Sequence, residues 1–326
     1  MPIDLPSYIA GQPVRTDRWL EVHYPWDNSL TGRVAVVGPE HLDQAIEAAL
    51  SGQQQPLTRY ERHDILRKAA ALLAEHREEL ARLICREAGM CIRETMYETG
   101  RTSDVMEFAA IEALKDDGQI FSCDISPQGK ARKIFTFRQP VKLVSAITPF
   151  NHPLNQVVHK VAPAIAAGAP MILKPSEKAP LTAIRLCEIL YEAGLPGWML
   201  SMFMGEIDDV VKPMITDPRV EMVSFTGSVE IGKQIARTAG YKKICLELGG
   251  NSPLIVLEDA DIDRAVTLAA EGCFRNSGQR CTAVKRVLVQ KSIHDEFTKR
   301  FVEKCREYVC GDPSDPDTRV GTVIDE

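Results

Sequence analysis

Apolar positions fall into two regimes along this chain. Between residues 40 and 89 they recur at helical spacing, with Leu42, Ile46, Ala49 and Leu50 on one stripe and Ile65, Ala69, Leu72 and Leu73 on another, and Gly89 is the predicted stop. From residue 143 the pattern changes to short continuous apolar runs at 143–147, 170–174, 198–202 and 220–225. Helix-like segments separate several of them, such as 182–193, which closes at Gly194 with Pro196 beyond. Continuous apolar strands alternating with helices predict a parallel sheet covered on both faces. A second set begins near Leu248, with strand 254–257, helix 262–275, strand 286–290 and helix 293–309. Before both sets, residues 119–138 mix polar and apolar positions around Pro127 and Gly129, which predicts a protruding hairpin of strands 119–123 and 133–137.

Two α/β units joined near residues 247–250 make the junction the expected site. The length of 326 residues, with 26% charged and 44% hydrophobic, accommodates two domains and excludes a disordered or fibrous class. A net charge of -6 leaves no electrostatic footprint for nucleic acid or an anionic membrane. The first residues lack a basic stretch followed by an apolar one, and the longest apolar run, 161–173, is interrupted by Pro163, Gly168 and Pro170 and is too short to span a bilayer. A cytoplasmic location is the expectation. Nine cysteines without a CxxC pair or a His-paired spacing point to a reducing compartment, with neither a disulfide framework nor a metal site.

Chemistry concentrates in a few segments. In Asn276-Ser277-Gly278-Gln279-Arg280-Cys281-Thr282 a thiol sits in a Gly-polar loop, whereas Cys187, Cys245 and Cys305 lie in apolar or helical patterns and read as inert packing. Upstream, Glu247 precedes Leu248-Gly249-Gly250; it is a candidate general base, with an acid that caps the turn as the lesser reading. The run 220–225 enters Thr226-Gly227-Ser228 and a helix-like stretch, 229–239, that contains Gly232, an arrangement that aims backbone N–H groups at a phosphate. Lys174-Pro175-Ser176-Glu177 ends another run and reads from its residues as a helix entry capped by Ser176. Arg280 beside the thiol calls for an anion, because an unpaired guanidinium is costly in a closed site, and it also favours the thiolate.

These segments, with Pro149-Phe150-Asn151-His152-Pro153 before them, resemble the aldehyde dehydrogenase superfamily in wording and order, over essentially the whole chain. The resemblance implies an α/β fold with a Rossmann-like NAD(P)-binding domain (1–118 and 139–247), an oligomerisation hairpin (119–138) and a second α/β catalytic domain (248–326) that in the family continues further. It implies that Cys281 attacks an aldehyde, that hydride leaves the hemithioacetal, and that Glu247 activates the water that hydrolyses the thioester. Asn151 and the Cys281 backbone N–H become the oxyanion donors, although from the residues alone Asn151 reads as a turn former beside Pro153. Cofactor contacts fall on Ile147, Thr148, Pro149, Phe150, Lys174, Ser176, Glu177, Phe225, Thr226, Gly227, Ser228, Leu248 and Gly249. NAD is the expected cofactor, with NADP the alternative, since Glu177 suits free ribose hydroxyls while Lys174 and Ser176 suit a 2′-phosphate.

Substrate contacts fall on Arg280, His152, Thr282 and Arg101, the last of which reads on its own as a solvated helical arginine. The wording is most like the phosphonoacetaldehyde branch, which implies a small anionic aldehyde, with the non-phosphorylating glyceraldehyde-3-phosphate dehydrogenases as the alternative. A different class also stays open: a chain that keeps cofactor binding or an assembly surface without turnover. A homodimer or homotetramer is expected of the full-length protein.

Overall fold

A computed structural model describes residues 2–325. Its first part carries strands β1 (Ile3–Leu5), β2 (Ser7–Ile9), β3 (Gln12–Val14), β4 (Trp19–His23) and β5 (Leu30–Val37). The hydrophobic pattern did not assign them; β1, β2 and β3 are three residues each, too short for alternation to register, whereas the longer β4 and β5 were simply missed. The helical region resolves into α1 (Pro39–Gly52), α2 (Arg59–Glu75) and α3 (Arg77–Ala88), the last ending as predicted at a left-handed Gly89. Thr58 starts α2 with a capping box: its hydroxyl accepts from the Glu61 backbone N–H, and the Glu61 carboxylate accepts from the Thr58 N–H at 2.7 Å.

The long helix α4 (Ile92–Ala113) is a second element absent from the sequence reading. Its buried face begins with Thr95, Glu98, Thr99 and Thr102 and turns apolar only at Met106, Ala109, Ala110 and Ala113, so no apolar stripe runs along its whole length. The hairpin follows as antiparallel β6 (Ile120–Ser122) and β7 (Lys133–Phe135).

Next come β8 (Val144–Ile147), α5 (Asn155–Ala167), β9 (Met171–Lys174), α6 (Leu181–Glu192), β10 (Leu200–Met202) and the short β11 (Met204–Gly205), then α7 (Lys212–Thr216), β12 (Met222–Thr226), α8 (Val229–Thr238) and β13 (Lys243–Glu247). A seven-stranded sheet runs in the order β13-β12-β8-β9-β10-β2-β3, parallel from β13 to β10 and closed by the antiparallel β2–β3 pair. Chain order reverses at the β12–β8 junction, so the loops after these two strands diverge and leave a crevice at their carboxyl ends. A smaller sheet, β1-β5-β11 with β4 on β5, packs beside it. Two buried carboxylates on the helical layer fix the helices that follow β8 and β9. Glu98 accepts the Leu154 and Asn155 backbone N–H groups at 3.0 and 2.9 Å at the start of α5, and Glu87 accepts that of Leu181 at 2.7 Å at the start of α6.

The final unit pairs β14 (Ser252–Val256) and β15 (Val284–Val289) in parallel, with α9 (Ile262–Phe274) between them in sequence and α10 (His294–Cys305) after. The predicted final helix of 293–309 is thus shorter at its end. No described helix is long and apolar enough to cross a membrane.

Candidate active site

A cavity of about 370 Å³ opens at the crevice between the two units. Pro149, Phe150 and Asn151 come from the loop after β8, Thr226, Gly227 and Ser228 from the turn after β12, Leu248, Gly249 and Gly250 from the joint after β13, and Gln279, Arg280 and Cys281 from the loop before β15. Four separate stretches singled out in the sequence therefore share one cavity. A larger cavity of about 760 Å³ lies among α2, α4, α5 and the base of the hairpin, and none of the cysteines lines it.

Cys281 is exposed on its loop. Burial pushes the thiols of Cys85 and Cys187 up to about 12 and that of Cys91 to about 11, which makes them inert. Cys245 departs from expectation: it is exposed, because β13 is an edge strand with an open face. Gly250 explains why the joint must be glycine there, since a Cβ would stand 2.8 Å from the Cys281 carbonyl oxygen. The loop itself is strained. Asn276 and Ser277 hold φ of 56° and 54°, a left-handed conformation costing on the order of 1–3 kcal/mol for each non-glycine residue.

Asn151 donates from Nδ2 to the Gln279 carbonyl at 2.7 Å, while the buried Asn276 donates from its own Nδ2 to the Asn151 carbonyl at 2.6 Å. One hydrogen of the Asn151 amide remains available. Glu247 ends β13 with its side chain exposed and outside the cavity lining; its carbonyl accepts the Gly227 N–H at 3.0 Å. Lys160 on α5, absent from the sequence reading, is buried and donates to Ser224 Oγ at 2.9 Å. Burial pushes its pKa down to about 8, opposed by the charges of Cys245 and Glu247. The available signal was a lone lysine in the otherwise apolar Val157 to Ala167 stretch.

Several of the residues expected to contact a cofactor lie at the switch point. Ile147, Thr148, Phe225 and Thr226 are buried at the ends of β8 and β12, and the hydroxyls of Thr148 and Thr226 have no hydrogen-bond partner among the described residues. Ser228 caps α8, accepting the Ile231 N–H at 3.3 Å, so the first turn of α8 faces the crevice side of the sheet. Orphaned hydroxyls beside a helix start fit a dinucleotide laid across the strand ends. One strand over, the buried Lys174 donates to Glu177 at 2.8 Å, and Ser176 Oγ accepts the Lys178 N–H. Burial raises the Glu177 pKa, but the Lys174 charge and hydrogen bond outweigh it and hold the carboxyl below its ordinary range.

The four substrate candidates separate. Arg280 lines the cavity, half-buried, with Nη2 donating to the Gly272 carbonyl at 3.3 Å and Nε buried without a partner among the described residues. Burial lowers its pKa, as does the neighbouring Arg275, which is itself paired with Glu94 at 2.9 Å. His152 lies outside the lining and is held through Nδ1 by Glu98 Oε2 at 3.2 Å. Thr282 is exposed beside the nucleophile, and Arg101 is exposed on α4, where its charge acts on His159. Lys285, not foreseen, joins Arg280 in the lining, and no carboxylate does.

Comparison with known proteins agrees with this assembly. The chain is 35% identical over 317 residues to a 3-sulfolactaldehyde dehydrogenase of Priestia aryabhattai, covering 97% of this chain and 66% of that protein. It is 37% identical over 305 residues to a sulfoacetaldehyde dehydrogenase of Neptuniibacter caesariensis, covering 93% and 66%. It thus spans about two thirds of the length of these relatives. The crystal structure of aldehyde dehydrogenase 21 from Physcomitrella patens, in complex with the reaction product succinate, superposes with a TM-score of 0.95 at 34% identity, covering 99% of this chain and 68% of that one. Residues 12–326 match the Aldehyde dehydrogenase family, and the chain belongs to that family.

Proposed function

We propose that the protein oxidises a small anionic aldehyde to the carboxylate, with NAD(P) bound across the ends of β8 and β12. The observation that carries this reading is the composition of the cavity wall: the Cys281 thiol stands there with Arg280 and Lys285, and among the described residues no carboxylate lines it, the acid whose charge acts on Arg280 being Glu94, which is paired with Arg275. The two relatives above are named for aldehydes that carry a sulfonate, and a phosphonate or sulfonate is suited to bidentate guanidinium contact. Phosphonoacetaldehyde is the finer assignment from the wording around Cys281 and His152, and the relatives' names favour a sulfonated aldehyde as the second reading.

In this account Cys281 adds to the carbonyl carbon, and the resulting oxyanion takes the free hydrogen of the Asn151 amide and the Cys281 backbone N–H. NAD(P), when bound, accepts the hydride that leaves the hemithioacetal. Glu247 swings from its exposed position to deprotonate the water that releases the acid from the Cys281 thioester, while Lys160 supplies a nearby positive charge. Lys174 and Glu177 hold the adenosine ribose, with NAD preferred because Glu177 repels a 2′-phosphate. The test is turnover of phosphonoacetaldehyde, sulfoacetaldehyde and a neutral aldehyde of equal length, each with NAD and NADP. Equal kcat/KM for charged and neutral aldehydes removes the anionic reading, and no oxidation of any aldehyde favours a binding or assembly role.

A further inference from the structure

We infer that Asn276 is a positioning residue that locks the nucleophile loop to the Asn151 turn. Two adjacent hydrogen bonds run in opposite directions between these segments. The Asn276 amide donates to the Asn151 carbonyl, and the Asn151 amide donates to the Gln279 carbonyl, two residues before Cys281. Together they form a clasp whose members belong to different α/β units. Asn276 is 4% exposed and starts three consecutive left-handed residues, Asn276, Ser277 and Gly278, with φ of 56°, 54° and 73°.

The turn is closed internally by the Gln279 N–H to the Asn276 carbonyl at 3.0 Å and the Arg280 N–H to the Gly278 carbonyl at 2.9 Å. A strained turn of this kind persists only where surrounding contacts over-determine it, and the clasp supplies such a contact. Asparagine meets both demands. It tolerates the left-handed region better than other branched or long side chains, and its amide reaches a carbonyl with an N–H. The Asn151 bond has a second effect: by occupying one hydrogen of the amide, the Gln279 carbonyl fixes the plane in which the other points. Displacing the loop therefore moves the thiol and the oxyanion donor together.

This inference rests on the proposed aldehyde chemistry for its kinetic readout and not for its structural one. Asn276→Gly keeps the left-handed backbone and removes the donor; Asn276→Asp keeps the shape and turns an acceptor toward the Asn151 carbonyl. Hydrogen exchange followed by mass spectrometry on the full chain is expected to show faster exchange in peptides covering 275–283 and also in those covering 150–154, which carry no substitution. Where aldehyde turnover is measurable, kcat is expected to fall 10- to 100-fold in both variants, while KM for cofactor stays within about twofold. Exchange changes confined to 275–283 overturn the inference, as does an unchanged kcat or a loss in cofactor affinity that matches the loss in kcat. If Asn276→Asp fails to fold, Asn276→Gly decides on the same readouts. An absence of turnover in the unsubstituted chain counts against the aldehyde reading and leaves the exchange result to judge the clasp.

Discussion

The two α/β units that meet at Cys281 are built to different standards of burial. Strands β8, β9 and β10 are buried at every residue, because helices and further strands cover them on all sides. In β14 and β15 buried and exposed positions mix, with Ile255 63% and Leu288 48% exposed. The core of that unit rests on Val256, Val266, Ala269 and Phe297. Part of the difference lies in the strands themselves, since β15 carries Lys285 and Arg286, and part in the layers that surround each sheet. The crevice proposed for the dinucleotide is thus held by a deep core, whereas Cys281, the proposed nucleophile, stands on a thin unit and is tied across the joint by polar contacts.

The comparison is broken most severely at the thiol. Cys281→Ala is expected to reduce aldehyde turnover by at least about 10⁴-fold while cofactor binding, followed by fluorescence titration, survives. Loss of both together would mean that the two units do not divide the work. The packing contrast has its own test in denaturant unfolding. Leu173→Ala, in a fully buried strand, should cost about 2–5 kcal/mol, whereas Leu288→Ala should cost under about 1 kcal/mol. Similar values would remove the contrast.

Lys160 sharpens the electrostatic side. Its folded pKa is depressed to about 8 from 10.5, so the unfolded chain holds the proton more tightly and burial costs stability fully below pH 8. The cost is relieved as pH rises from 8 to 10.5, by up to about 3 kcal/mol. Lys160→Met should therefore be the more stable protein at pH 7, with the gap closing towards pH 10; a constant gap would contradict the shift. Arg280→Ala is expected to lower kcat/KM for an anionic aldehyde by about 2–3 kcal/mol, and by far less for a neutral one. The smallest effect is at Glu177. Replacing it by Gln should favour NADP over NAD by about fivefold to tenfold, measured as a ratio of KM values, and equal changes would detach Glu177 from the ribose.

The same contrast governs what was legible in the sequence. Strands β8, β9, β10 and β12 were located to within one or two residues, since burial on both faces writes continuous apolar runs such as Met171–Lys174, whereas the exposed edge strand β13 was not. The helix α4 was not, because the first half of its buried face is threonines and a capping glutamate and only the second half is apolar, and β1 to β3 were too short to show a period. Cys281 and Arg280 stand in a Gly-polar loop that draws attention, but Asn151 was chosen on the family resemblance, since its own segment reads as a turn beside Pro153. Lys285 and Gln156 became visible only when the cavity was closed, for neither sits in a distinctive local pattern. Asn276 was quoted as part of the Cys281 segment, but its donor role depends on a carbonyl 125 residues away, which no local reading reaches.

The most direct measurement is the mass of the Cys281 peptide after the protein is mixed with NAD(P) and an anionic aldehyde, then quenched in acid before deacylation is complete. Attack by this thiol predicts an acyl adduct on the peptide containing Cys281, lengthened in lifetime by Glu247→Gln and absent in Cys281→Ala. Reduced cofactor accumulating over many turnovers while Cys281 stays unmodified in both proteins, or an adduct on exposed Cys245 or Cys310 instead, would contradict it.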